Sequence, residues 1–334
     1  MTRFIGLGER ADITVVVVTY NSAGDIDRLV DSLRGETADV SIRLVVADND
    51  SRDETLGALS AHDDVILIST GGNLGFAGGI NTTRDAIGPC AEVLFLNPDA
   101  RVSRGSLALL AARRRERGAG AIAPRIVDDA GDTFRSLRRE PSLLRAVGDA
   151  ALGRFWANRP AWLSEVVRCD ADYARPHRID WASGAALMVA AEVAREVGAW
   201  DERFFLYSEE TDYQRRVRDA GYEIWYEPDA VVHHSERGSG FSSLLDQLIA
   251  VNRVRYARLH LSPLTAAAYR GAVALHHLLR SSSADYRVNL RTVIDESKWA
   301  TLPHASQRAS PALVQPPPHM SAAPQSIPRS GRAS

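Results

Sequence analysis

Four short apolar runs, each parted from the next by a helix-length stretch and each closing on a polar turn, leave the first hundred residues very few folds to adopt. Residues 13–18, ITVVVV, form a continuous β-branched run. A short run without polar alternation suits a strand buried on both faces, as in a parallel sheet. DIDRLVDSLR, at 25–34, follows with Ile26, Leu29, Val30 and Leu33 at helical spacing. SIRLVVADNDS then reads as a second strand, DETLGALSAH as a helix and VILIST as a third strand. GGNLGFAGGIN is a glycine-rich loop that opens another helix, and VLFLNPDARV is a fourth strand ending in Asn97-Pro98-Asp99. This β-α alternation predicts a parallel sheet covered by helices. Such sheets bind ligands outside the carboxyl ends of their strands. TYNS, ADNDS, GGNLGFAGGIN and NPDA all fall at those ends, so one rim should carry one site.

The remainder is less regular. RRRER lies at 113–117 and RSLRR at 135–139. WASGAALMVA, at 181–190, reads as a fifth strand followed by a helical AEVAREVG, and 209–220 reads as a helix. YEIWYEPDAVVHHSERGSG holds short strands and a loop with two histidines. Residues 242–260 and 264–280 fit helices parted by Ser262-Pro263. From about 299 the chain is rich in Pro, Ser, Ala and Gln, which predicts a tail without fixed structure. The net charge of −2 gives no global attraction to nucleic acid. Cys90 and Cys169 match neither a disulfide framework nor a zinc site and read as free thiols of a reducing compartment. No signal peptide is recognisable, and no run approaches the roughly 18–20 apolar residues that span a bilayer. The expected location is cytoplasmic or peripheral to a membrane.

Each loop has a functional and a structural reading. The glycines at 71, 72, 75, 78 and 79 allow close backbone approach to a ligand, and amides at a helix start favour phosphate. They equally suit a plain connection. A dinucleotide fingerprint would need its glycines directly after the first strand, where TYNS stands, and no P-loop motif is present. Asp48, Asn49, Asp50 and Ser51 suit hydrogen bonding to a base or ribose, or an Asx turn. Asp99, with Asn97 before it, suits a cation bridging a diphosphate, or a turn. In SEETD, Ser208 is a natural N-cap that would leave Glu209 and Glu210 in the first turn, where the helix dipole favours anions. His233 and His234 end an apolar run; adjacent strand residues point to opposite faces, so at most one should face a site.

In order, VVVVTYNS, VVADNDS, NLGFAGGIN, FLNPDA, WASGAALMV, VGAWDERFFLYSEETDYQRRVRDAGY and AVVHHSERGS resemble the inverting glycosyltransferases of family 2, over about residues 12–260. RSLRREPSLLRAVGDAALGRFWANRPAW is similar to the actinobacterial rhamnosyltransferases that act on decaprenyl-diphosphate-linked N-acetylglucosamine in cell-wall synthesis. The resemblance implies a GT-A fold, a Rossmann-like α/β, mostly parallel sheet flanked by helices. It divides the chain into a catalytic domain at 1–260, with a nucleotide-sugar half to about 103 and an acceptor half from 104, a helical extension at 261–298 and the tail at 299–334. It implies that Thr19, Tyr20, Asn21, Asp48, Asn49, Asn73, Gly75, Phe76, Asn81, Asn97 and Asp99 bind the nucleotide-diphosphate sugar. Asp99 and His234, with His233 as fallback, would hold Mg²⁺ or Mn²⁺, and Asn97 in place of an aspartate weakens that site. Glu210 takes the place of the family's base, usually an aspartate, with Glu209 and Asp212 in support. Trp181, Gly184 and Arg216 would meet the acceptor, a polyprenyl-diphosphate saccharide at the inner face of the membrane. Arginines 113–115 and 135–139 suit that diphosphate or an anionic surface, although a solvated charged helix face is the simpler account of RRRER, and 264–280 suits a membrane or ordinary packing on the catalytic domain. The implied donor is dTDP-L-rhamnose. UDP-galactofuranose or another UDP-sugar is the alternative, and a non-catalytic nucleotide-sugar-binding protein is the alternative of another class. The sequence leaves the oligomeric state open.

Overall fold

A computed structural model describes residues 3–156, 159–235, 242–305 and 312–314. In chain order the strands are β1 (Ala11–Thr19), β2 (Ile42–Asp48), β3 (Ile66–Ser69), β4 (Cys90–Leu96), β5 (Ala100–Val102), β6 (Ala121–Val127), β7 (Leu137–Arg138), β8 (His177–Ile179), β9 (Trp181–Ala182), β10 (Ala186–Ala190), β11 (Ile224–His234) and β12 (Ala312–Val314). The helices are α1 (Ile26–Glu36), α2 (Thr55–Ser60), α3 (Gly75–Thr82), α4 (Ser106–Arg117), α5 (Leu143–Ala151), α6 (Asp170–Tyr173), α7 (Ala191–Val197), α8 (Glu209–Asp219), α9 (Ser243–His260), α10 (Pro263–Leu278) and α11 (Ala284–Ile294).

The main sheet runs β12-β3-β2-β1-β4-β10-β6-β11-β5, with β8 pairing on β11. β1 pairs in parallel with β2 and β4, and β2 with β3, as the alternation predicts. β1 is apolar throughout because its successive residues serve different cores. Ile13, Val15 and Val17 pack with Leu29 and Leu33 of α1, while Val16 and Val18 share a core with Ile80 of α3 and Trp200. β10 enters antiparallel between β4 and β6, which makes the sheet mixed but mostly parallel.

One expectation is corrected. The single strand expected over 181–190 divides: Trp181–Ala182 pairs with β7 in a separate ribbon, and only Ala186–Ala190 joins the main sheet. A 3-10 turn at Glu296–Thr301 bridges the helical extension and the tail, in which Ala312–Val314 pairs antiparallel with β3. Residues 306–311 and 315–334 lie outside the described residues.

The segment expected as a helical extension is packed into the molecule. Val254 and Ala257 of α9, Ala266, Tyr269 and Val273 of α10, Val293 of α11 and Ala146 of α5 share one apolar cluster. The arginines of RRRER are taken up by acids of the protein itself. Arg114 bonds buried Glu92 at 2.8 Å and Arg117 bonds Glu227 at 2.8 Å, while Arg113 pairs with Glu116.

Candidate active site

The loops after β1, β2, β3 and β4, with the end of β11, enclose a cleft of about 570 Å³. Thr19, Tyr20, Asn21, Asn49, Asn73, Gly75, Phe76, Asn97 and Asp99 line it, as the resemblance implies, and His234 joins them. Ser51 ties two of the loops together: its hydroxyl accepts from Asn21 N–H at 2.9 Å and donates to Asp48 at 2.6 Å. Asn49 Nδ2 donates to Gly75 O at 2.8 Å, joining the second loop to the glycine-rich one. Gly75 tolerates no other residue for two reasons. Its φ is +73°, and a Cβ there would meet Phe205 O at 2.2 Å.

Two residues expected at the nucleotide lie elsewhere. Asp48 is fully buried beneath the cleft, where it accepts from Thr19 Oγ1 at 2.9 Å and Ser51 N–H at 3.0 Å. It shapes the loops and does not line the cleft. Asn81 lies at the far end of α3, bonded to Trp200 and Glu202 at 2.9 Å. The helix turns it away from the cleft that Gly75 and Phe76 face.

On the β4–β11 side, His234 Nε2 lies 3.1 Å from Asp99 Oδ1 and 3.1 Å from Asn97 Nδ2. His233, the fallback, is not at the cleft: it pairs in register with Arg101 and Val127, and strand alternation sends it to the opposite face. A carboxylate and an imidazole this close, opening on a cleft, fit one hard divalent cation. Nδ1 of His234 is buried without a hydrogen-bond partner. Among the described residues no group of three or more acids, histidines or cysteines forms a complete cage. A cation held here would take its other ligands from the substrate.

A second cavity of about 290 Å³ adjoins along 205–210 and contains Glu210, Trp181, Arg138, Tyr207 and Ser208. Gly184 backs it: a Cβ there would contact Glu210 Cβ at 3.5 Å. Of the three acids in SEETD only Glu210 lines this cavity. Asp212 is held by Arg216 Nε and His260 Nε2, both at 2.8 Å, which fastens α8 to the end of α9. Arg216 also donates to Val197 O, so it braces Asp212 and does not reach the acceptor side. Glu209 is buried behind Glu210.

Ser208 is not the expected side-chain cap. Its φ is +71° and its hydroxyl makes no capping bond. Phe205 and Tyr207 are also left-handed, with φ of 63° and 69°. Each such residue costs about 1–2 kcal/mol. The loop is held by Asn252 of α9, whose Nδ2 lies 2.8–2.9 Å from the carbonyl oxygens of Phe204, Leu206 and Tyr207. Phe76 N–H adds a bond to Phe205 O at 2.7 Å. The strained loop is therefore pinned from both sides and leads into Glu210, which lines the second cavity. Asn252 escaped the sequence reading. Its signal was an amide one residue after Val251 in the apolar stripe of α9, where a buried polar group needs partners.

Burial raises both acids. Glu209 is pushed well above the carboxylate range by burial and then by Glu210 beside it. Glu210 is raised by burial, while its own backbone and the positive charge of Arg138 pull it back.

The sequence matches the profile of glycosyl transferase family 2 over residues 14–164. An N-acetylglucosaminyl-diphospho-decaprenol L-rhamnosyltransferase of Mycobacterium tuberculosis is 34% identical over 241 residues, covering 68% of this chain and 78% of that protein. The low-salt glycan biosynthesis hexosyltransferase Agl10 of Haloferax volcanii is 28% identical over 214 residues, 62% of each chain. A mannosyltransferase from Pyrobaculum calidifontis, solved with GDP-mannose and Mn²⁺, shares the fold with a TM-score of 0.51 at 19% identity, covering 89% of this chain and 90% of that one. The sheet and its rim have the GT-A fold. The chain belongs to glycosyltransferase family 2 and is a glycosyltransferase.

Proposed function

We propose that this enzyme transfers L-rhamnose from dTDP-L-rhamnose to a polyprenyl-diphosphate-linked N-acetylglucosamine saccharide, with inversion, at the cytoplasmic face of the membrane. The observation that carries this reading is Glu210, the one acid of SEETD that lines the cavity beside the nucleotide-type cleft. The choice of sugar and acceptor rests on the likeness to the mycobacterial rhamnosyltransferase.

In this mechanism the donor lies in the larger cleft with its base toward Thr19, Tyr20 and Asn49. The acceptor hydroxyl enters beside Trp181. Glu210 accepts the hydroxyl proton as the oxygen bonds to the anomeric carbon. The bond from that carbon to the diphosphate oxygen breaks, and the nucleoside diphosphate leaves with the electron pair. Attack from the face opposite the leaving group inverts the configuration. Asp99 and His234 would hold a Mg²⁺ or Mn²⁺ that supplies charge stabilisation to the diphosphate.

The test is transfer from a panel of dTDP- and UDP-sugars to polyprenyl-diphosphate-GlcNAc, with and without EDTA. Turnover with dTDP-rhamnose, lost on chelation and restored by Mg²⁺ or Mn²⁺, is the expected result. Turnover with UDP-sugars alone would overturn the rhamnosyl reading, and binding without any transfer would reduce the protein to a nucleotide-sugar receptor.

A further inference from the structure

The acceptor side of the molecule carries a helix turned the wrong way round for folding. In α5 the small residues face inward. Ala146 and Ala150 are buried, and a Cβ on Gly148 would meet Leu163 O at 2.4 Å. Leu143 packs inward, but two large apolar residues face outward: Leu144 is 61% exposed and Val147 40%. The chain that follows keeps the pattern, with Phe155 at 83%, Trp156 at 47% and Trp162 at 57% exposed. Phe155 and Trp156 are tied to the end of α5 through N–H bonds to Leu152 O, and Arg145 of α5 reaches Ala161 O beside Trp162. A contiguous face of this kind gains nothing from water and marks a docking surface.

Its charge says what docks. Arg154, next to Phe155 in the chain, is exposed on this face, whereas Arg138 lines the Glu210 cavity and Arg159 is buried against Asp149. Arg139 and Arg145 spend their donors on backbone carbonyls, and Arg154 lies over the Phe155 ring at 5.9 Å. Exposed Trp and Phe among arginines match the headgroup layer of an anionic bilayer, where the rings sit at the interface and guanidinium groups meet phosphates. A two-fold contact with a second copy of the chain would set exposed Arg154 of this face against its equal. Among the described residues no helix is long and apolar enough to cross a membrane, so this contact is with its surface.

We propose that the outer face of α5, with Phe155, Trp156 and Trp162, seats the enzyme on an anionic lipid bilayer. Asp149 of α5 lines the cavity that holds Glu210, on the side of the helix away from Leu144 and Val147. A lipid-linked saccharide therefore reaches the base with its chain still in the membrane. This last point rests on the acceptor reading above; the docking surface does not.

The test is flotation of the full chain with vesicles of phosphatidylcholine alone or mixed with phosphatidylglycerol, at low and high salt. The wild type should float with the anionic vesicles and release in high salt. The double variant F155S/W162S should lose about tenfold in partitioning, while L264S, which alters an exposed leucine on the first turn of α10, should not. The double variant should transfer sugar to a short-chain soluble acceptor at the wild-type rate. Undiminished vesicle binding by F155S/W162S overturns the proposal. So does a change in its oligomeric state by light scattering, which would make the face a protein contact. Vesicle binding without transfer to any lipid-linked acceptor would sink the acceptor reading and leave the docking surface standing.

Discussion

The two cavities that meet at 205–210 are built by opposite means. The donor cleft is made by loops that a parallel sheet places on one rim, and its side chains satisfy one another locally: Asn21 with Ser51, Asn49 with Gly75. The acid cavity is made by a loop with three non-glycine residues in the left-handed region, held by one amide from a helix some 45 residues further along. The first is a property of topology, the second of strain balanced by a distant hydrogen-bond donor. The difference teaches where a single substitution should do most damage.

Glu210→Gln should give the largest effect, a loss of about 10²–10⁴-fold in kcat. Nucleotide binding by calorimetry and thermal stability should be undiminished, because the change removes a charge from a buried site. Transfer within tenfold of wild type would dissolve the distinction between the cavities. Asn252→Ala should damage both at once. Three carbonyls lose their donor, at a cost of about 1–3 kcal/mol, and Phe205 O also anchors Phe76 in the donor cleft. Lower kcat, a raised donor KM and a lowered Tm are expected together. An intact Tm would mean that the loop holds its shape unaided.

Arg138→Gln tests the electrostatics of the acid cavity alone. Arg138 lowers the Glu210 pKa, so its loss should move the acid limb of kcat/KM to higher pH, and Arg138→Lys should largely restore it. A pH profile that stays in place would remove Arg138 from this role. Glu209→Gln should give the smallest effect. The folded-state pKa of Glu209 is raised, so its contribution to stability is present below 4.5 and is lost as pH rises through the raised value. The variant should therefore gain in Tm over wild type as pH rises across that window. A constant difference between the two melting curves would contradict a raised pKa at Glu209.

Much of the donor cleft was legible because it depends on period and order. A β-branched run, a helix period and a polar turn, repeated, put Thr19, Asn49 and Asp99 on one rim. The errors there concern direction. Asp48 and Asn81 lie in the right segments, but a one-residue step along a strand or a turn along a helix points a side chain elsewhere. The acid cavity was legible only in name. The family pattern picked out Glu210, yet local rules read Ser208 as a side-chain cap and grouped Asp212 and Arg216 with the chemistry. Those rules have no access to Asn252 or His260, which decide the outcome from α9.

The sequence by itself determined the alternating sheet and helices, the rim where ligands bind and the family to which the chain belongs. Each of these is written in local periodicity or in the order of short motifs. Only the tertiary structure decided which of three neighbouring acids meets the cavity, which of two adjacent histidines meets the cleft, and which face of α5 meets the outside. Those are questions of orientation. They are settled by burial and hydrogen bonds between segments far apart in the chain, which no local window contains.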